Sequence, residues 1–219
     1  MDIVLQQAFI LHQRSFRETS LLLDVFTREQ GRVSLIAKGV RTARSKWRGV
    51  LQAFSPLLVS YRGKTELMNL QAAEPAKRQI FLQGECLIVG FYLNELLYKL
   101  LQKQDPHPDL FDAYQQIILH LAENKLEQKF LRLFEIKLLS EIGYGLSQQN
   151  IMRDQFYRFC NEDGFVLCQN NENTNKTQIF SGKNLIALFS EELNDLAVLQ
   201  DAKRLLRFVI ANILGDKII

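Results

Sequence analysis

The stretch T-S-L-L-L-D-V-F-T at Thr19–Thr27 consists largely of strand-forming residues and ends shortly before the turn signal Gln30-Gly31. So short an apolar run, bounded by a turn signal and showing no helical period, predicts a strand. Next, Val33, Leu35 and Ala37 alternate with Arg32, Ser34 and Lys38, predicting a half-buried strand with a partly basic outer face. Upstream, Ala8, Ile10 and His12 alternate with Gln7, Phe9 and Leu11, so both faces of that segment are partly apolar. Downstream, Pro56 to Tyr61 and Glu66 to Ala72 read as two further strands, joined by the turn Arg62-Gly63-Lys64. Five short strands in roughly eighty residues, with no helical pattern among them, predict a small barrel such as an OB-fold. An SH3-like barrel is the structural alternative.

From Gly84 the period becomes helical. Pro106 and Pro108 break the chain, after which Leu110, Phe111, Tyr114, Ile117, Ile118 and Leu121 mark one helix face. Leu126, Phe130, Leu133, Phe134, Leu138 and Ile142 mark another, which stops at the glycine cap Gly143-Tyr144-Gly145. Gln155–Cys160 and Phe165–Cys168, joined by Asn161-Glu162-Asp163-Gly164, predict a small hairpin. Gln169–Lys176 reads as a polar loop, Ser181 as a helix cap and Leu199–Leu214 as a final amphipathic helix. The expected fold is α+β: a five-stranded OB-fold barrel over 1–79, then a mainly helical domain over 80–219 with a hairpin insertion at about 154–180.

Charge is distributed unevenly between these parts. The net charge is +3, yet residues 1–79 hold 13 Lys/Arg against 6 Asp/Glu, and residues 80–219 hold 14 against 18. The densest cluster is K-G-V-R-T-A-R-S-K-W-R, with Lys38, Arg41, Arg44, Lys46 and Arg48 inside eleven residues and no acid among them. Between two predicted strands, this is either a solvated surface loop or a positive surface for a polyanion, of which nucleic acid is the commonest. Further cations at Arg14, Arg17, Arg32, Arg62 and Lys64 favour the second reading, because a phosphate backbone needs several charges along a path. Trp47, the chain's one tryptophan, is flanked by Lys46 and Arg48 and is the first candidate for stacking on a base. Phe16 and Tyr61 are alternatives that suit the core equally well.

Other classes of function find little support. The N-terminus carries Asp2 where a secretory signal needs cations, and the most apolar helix is interrupted by Asn94, Glu95 and Lys99. A cytoplasmic protein with no membrane segment is expected. Cys160 and Cys168 flank the predicted turn and would lie near each other in a paired hairpin, but structural zinc needs about four ligands, usually including closely spaced cysteine pairs. No metal, no cofactor and no catalytic residue is expected, since phosphate-binding glycine loops, nucleophile elbows and metal-binding histidine pairs are missing. Arg132 and Lys137 on one helix, with Lys203, Arg204 and Arg207 on another, could rim a groove for an acidic peptide; solvated helix faces are the alternative.

Several motifs together carry a family resemblance. A-F-I-L-H at Ala8–His12, R-E-T-S-L-L-L-D-V-F-T at Arg17–Thr27, G-R-V-S-L-I-A-K-G-V-R at Gly31–Arg41 and L-Q-A-F-S-P-L at Leu51–Leu57 resemble the RecO family of bacterial recombination-repair proteins. Y-L-N-E-L-L at Tyr92–Leu97, R-L-F-E at Arg132–Glu135, L-L-S-E-I-G-Y-G at Leu138–Gly145 and A-K-R at Ala202–Arg204 continue the likeness. The resemblance implies an OB-fold, a helical C-terminal domain and a non-enzymatic mediator that binds single- and double-stranded DNA and anneals complementary strands. It further implies partnership with RecR, loading of RecA onto DNA coated by single-strand-binding protein (SSB), and binding of the acidic SSB C-terminal tail. On this sequence the implied DNA surface falls on Arg14, Arg17, Arg32, Lys38, Arg41, Arg44, Lys46, Trp47 and Arg48. The implied tail site falls on Arg132, with Lys203, Arg204 and Arg207. Localisation is expected at the bacterial nucleoid. Many relatives carry a four-cysteine zinc module after the G-Y-G segment, whereas this chain keeps Cys160 and Cys168 there, resembling a zinc-free branch. A protein adaptor with a supplementary basic barrel, and a general RNA-binding OB module, are the functional alternatives.

Overall fold

The structure, a computed structural model, describes residues 4–47, 49–146, 151–160, 163–168 and 178–215. Arg48, part of the predicted hairpin turn (161–162) and the polar tract at 169–176 therefore lie outside the described residues. The chain forms two units, one running to Leu126 and the other beginning at Glu127.

In the first unit, β1 (Gln6–Phe16), β2 (Ser20–Thr27), β3 (Gly31–Ala37), β4 (Leu57–Arg62) and β5 (Leu67–Pro75) close into a barrel in the order β1-β2-β3-β5-β4. All pairings are antiparallel except β3 with β5, and closure comes from Gln6–Ala8 of β1 against Leu57–Val59 of β4. This is the expected OB barrel. The largely apolar run of β2, interrupted by Asp24, has a direct cause: the strand is buried on both faces. Leu23 and Val25 point into the barrel core with Ala8, Ile10, Val33, Leu35, Leu57 and Val59. On the outer side Phe26 meets Phe111 at 5.4 Å, and Phe9 of β1 meets Phe111 and Tyr114 at 5.3 and 5.0 Å.

Those partners belong to α2 (Pro108–Ala122), which together with α1 (Gly84–Leu100) lies in the same unit as the barrel. Asn94 of α1 donates to the carbonyls of Ile10 and Leu11 (3.4 and 3.0 Å) and accepts from the buried Tyr114 hydroxyl. The hydrogen bonds fall where β1 is bulged, between Ile10 and His12, so one side chain satisfies backbone groups there. Burial raises the Tyr114 pKa, leaving the hydroxyl a neutral donor. Gly31, in the β2–β3 turn at φ +65°, admits the loop after α1: a Cβ there would lie 1.9 Å from the Asp105 carbonyl oxygen.

The second unit holds α3 (Gln128–Glu141), β6 (Phe156–Cys160), β7 (Gly164–Cys168), β8 (Ile179–Ser181), α4 (Gly182–Phe189) and α5 (Leu196–Leu214). The expected hairpin is present but belongs to a three-stranded sheet in the order β7-β6-β8, because three residues of β8 add to its free edge. Ser181 caps α4 as expected, accepting from the Asn184 amide at 3.3 Å. One expectation is corrected: the register sets Cys160 opposite Gly164 and Cys168 opposite Phe156, so the two cysteines sit at opposite ends of the hairpin. Four residues of strand separate them, roughly 13 Å.

Candidate nucleic-acid interface

The loop from Lys38 to Pro56 joins β3 to β4 and has its own anchors. Trp47 is 5 % exposed and packs in the barrel core, with Leu51 beside it and Val40 and Val50 against the same cluster. Its indole N–H donates to the Lys38 carbonyl at 3.2 Å, tying the loop's start to its middle. The Arg41 amide donates to the Thr19 carbonyl at 3.0 Å and its guanidinium reaches the Arg17 carbonyl at 3.4 Å, which seats the loop on the β1–β2 turn. Lys46 lies over the Trp47 ring at 4.3 Å, with its ammonium 3.5 Å from the Gln71 carbonyl. Trp47 is therefore a plug. Base stacking needs an open ring face, and the core and Lys46 cover this one, so the stacking expectation is corrected.

The plug gives the loop's cations a fixed base. Lys38, Arg41, Arg44 and Lys46 are exposed, as are Arg14 on β1 and Arg17 in the adjoining turn. None of these six forms an ion pair among the described residues. Arg32 does not join them. It pairs with Asp24 at 3.6 Å, donates to the Leu101 carbonyl at 3.1 Å and lies over the Tyr98 ring at 5.2 Å. Asp24 also accepts from Ser34 at 2.8 Å, so this mostly buried cluster fastens β2 and β3 to the end of α1. Arg32 is a structural residue, placed on the inaccessible side of the strand that sequence alternation marked as basic. Tyr61 is half-buried, its hydroxyl donating to Gln30 at 2.9 Å with the Gln6 side-chain oxygen also near at 3.2 Å; burial raises its pKa. Arg17 lies 5.2 Å above the Phe16 ring.

The second unit's cations divide in the same way. Arg132 is 4 % exposed and lies 3.0 Å from Glu135, itself 1 % exposed, and the Arg132 Nε has no hydrogen-bond partner among the described residues. An acidic peptide could reach Arg132 only after this pair opened. Arg204 is engaged by Asp201 at 2.6 Å, by the Ile179 carbonyl at 3.0 Å and by the Phe180 ring at 4.9 Å. Lys203 and Arg207 are exposed and flank a shallow cleft of about 590 Å³ that also includes Phe208. The residues missed by the sequence reading are Lys77 and Arg78, exposed just after β5, and the aromatic residues that follow them. A signal for the aromatic residues was present: α1 carries more apolar residues than its one buried face requires, Ile88 and Phe91 being exposed.

A closed five-stranded barrel with an anchored, exposed cationic loop places the chain among the OB-barrel proteins. Comparison with known proteins is more specific. Residues 1–78 match the family model "Recombination protein O N terminal" and residues 83–218 match "Recombination protein O C terminal". The chain is 40 % identical to the DNA repair protein RecO of Coxiella burnetii (strain RSA 331 / Henzerling II), across 98 % of this chain and 94 % of that protein. It is 41 % identical to the DNA repair protein RecO of Haemophilus influenzae (strain 86-028NP), across 99 % of this chain and 93 % of that protein. The chain belongs to the RecO family of DNA repair proteins.

Proposed function

We propose that this protein is a non-enzymatic mediator of recombination repair that binds single- and double-stranded DNA and anneals complementary strands. The observation that carries the reading is the set of exposed cations without acidic partners among the described residues: Lys38, Arg41, Arg44 and Lys46 on the loop plugged by Trp47, with Arg14 on β1 and Arg17 in the adjoining turn. Arg48 belongs to the same run of sequence. A cationic surface neutralises phosphates and releases their counterions, and between two strands it lowers the repulsion that opposes pairing. The loop's described cations point to phosphate contacts, which carry no sequence information, so binding is largely independent of sequence. In this reading the barrel, residues 1–79, is the DNA-binding domain, the protein works in the bacterial cytoplasm at the nucleoid, and no helix among the described residues is long and apolar enough to cross a membrane.

The same reading includes RecR as partner and loading of RecA onto DNA coated by SSB; it rests on family membership. An adaptor role for the acidic SSB tail is favoured by one observation, the exposed Lys203 and Arg207 beside Phe208, which match acidic groups next to an apolar side chain. The test is the rate at which complementary strands anneal in the presence of the protein. Replacing Lys38, Arg41, Arg44 and Lys46 with Gln should remove most of the acceleration. An unchanged rate would contradict the proposal. Lys203→Ala with Arg207→Ala should leave annealing of bare strands intact and weaken capture of an acidic tail peptide; unchanged capture would remove the adaptor role from α5.

A further inference from the structure

Two phenylalanines of the first unit remain largely in solvent: Phe81, 67 % exposed, and Phe91, 55 % exposed. Ile88 is exposed one turn before Phe91 on α1. Their surroundings link them to the base of the cationic loop. Gln79 donates to the Gly49 carbonyl, and the Ile80 amide donates to Ser55 Oγ at 3.0 Å. Phe54, at the loop's far end, meets the Phe91 ring at 5.2 Å in an edge-on contact. A Cβ at Gly90 would lie 2.6 Å from Leu82 and 2.9 Å from Phe54, so this glycine lets the loop and the 79–82 segment close onto α1. Lys77 and Arg78, both exposed, lead into Phe81. The acid of this stretch is Glu85, in the first turn of α1, where the helix dipole favours it.

We propose that Phe81 and Phe91 form a base-stacking platform for a single nucleic-acid strand whose phosphates lie along the loop cations, Lys77 and Arg78. The proposal rests on the nucleic-acid reading above and assigns the base contacts that it lacks. Single-strand binders combine a cationic track with aromatic faces, because every base has a π-face whatever its identity. Trp47 is in the core, Phe16 is covered by Arg17 and Tyr61 is held by two glutamines, which leaves Phe81 and Phe91 as the exposed phenylalanine and tyrosine rings among the described residues of the first unit. The T-shaped contact with the buried Phe54 gives the Phe91 ring a fixed neighbour, which lowers the entropy cost of stacking. A helix of another protein docking on Phe81, Ile88 and Phe91 is the rival, and the experiment separates the two.

The experiment measures binding of the full chain to a single-stranded oligonucleotide and to a base-free deoxyribose-phosphate strand of equal length, across a range of salt concentrations. Phe81→Ala with Phe91→Ala should weaken binding to the oligonucleotide about tenfold or more, leave the base-free strand unaffected and leave the salt slope unchanged. Phe81→Trp and Phe91→Trp should retain affinity, and their indole emission should fall as the strand is added. Unchanged affinity of the alanine variant for the oligonucleotide, or equal loss on both strands, overturns the platform. Its failure is distinct from failure of the nucleic-acid reading, which would show as a loop-neutralised variant that keeps its affinity and slope on both strands.

Discussion

The barrel loop and the helices of the second unit are both rich in cations, but differ in the acids around them. The loop over residues 38–56 holds five Lys and Arg and no Asp or Glu. In α3, by contrast, Arg132 stands three residues before Glu135, and in α5 Asp201 stands three before Arg204. That spacing sets the partners on one helix face, so charge is cancelled within the turn and the pair can be buried. A strand-to-strand loop with no acid in reach has no such recourse. Its cations among the described residues, Lys38, Arg41, Arg44 and Lys46, stay in water. The distance to the next acid along the local geometry therefore separates a binding cation from a structural one better than cation density does.

The largest expected effect tests whether the loop depends on its plug. Trp47→Ala should cost about 3–5 kcal/mol by removing a buried aromatic residue from the barrel core, read as a lowered Tm and urea midpoint. A loss below about 1 kcal/mol would mean that the indole is not in the core. Next comes the paired region. Arg132→Met alone should destabilise by about 3 kcal/mol, because it removes the buried charge that faces Glu135 at 3.0 Å. Arg132→Met combined with Glu135→Leu should recover most of that loss. If Arg132 instead met a ligand at the surface, the single substitution would leave Tm nearly unchanged. The smallest effect concerns Arg28 and Asp112, an exposed fork linking the end of β2 to α2 at 2.9 and 3.1 Å. Hydrogen bonds from Arg28, then its charge, hold the Asp112 carboxyl below the usual range. A carboxylate with a depressed folded-state pKa contributes stability above its unfolded value of about 4 and loses it as pH falls through the folded value. Asp112→Asn should thus lower Tm slightly at neutral pH and not at all in strong acid; a gap persisting in acid would assign the effect to something other than ionisation.

Much of this organisation was legible in the sequence because it depends on local periods. The strand alternations, the break at Pro106 and Pro108 and the cap at Ser181 each follow from short-range chemistry. The doubly buried β2 was legible as an apolar run, although its second partner, α2, was not, since periodicity says nothing about which surface covers a strand. Partner geometry was likewise out of reach. Trp47 sits between two cations and looked solvent-facing, yet it packs into the barrel core. Arg32 lies on the polar side of an alternating strand, but α1 and its following loop cover that side. Cys160 and Cys168 seemed adjacent because a turn lies between them, and only the register shows them at opposite ends.

The central claim, that the acid-free loop cations carry the DNA contact and the helical cations do not, is tested most directly by comparing salt slopes. Single-stranded DNA would be titrated at several salt concentrations with the parent chain, with Lys38, Arg41, Arg44 and Lys46 changed to Gln, and with Lys203 and Arg207 changed to Gln. The slope of log K against log salt falls by about 0.7 for each phosphate of a single strand that is no longer neutralised, so the loop variant should show a slope shallower by up to about 3. The α5 variant should keep the parent slope. A loop variant with the parent slope, or an α5 variant that flattens it as much, would contradict the account.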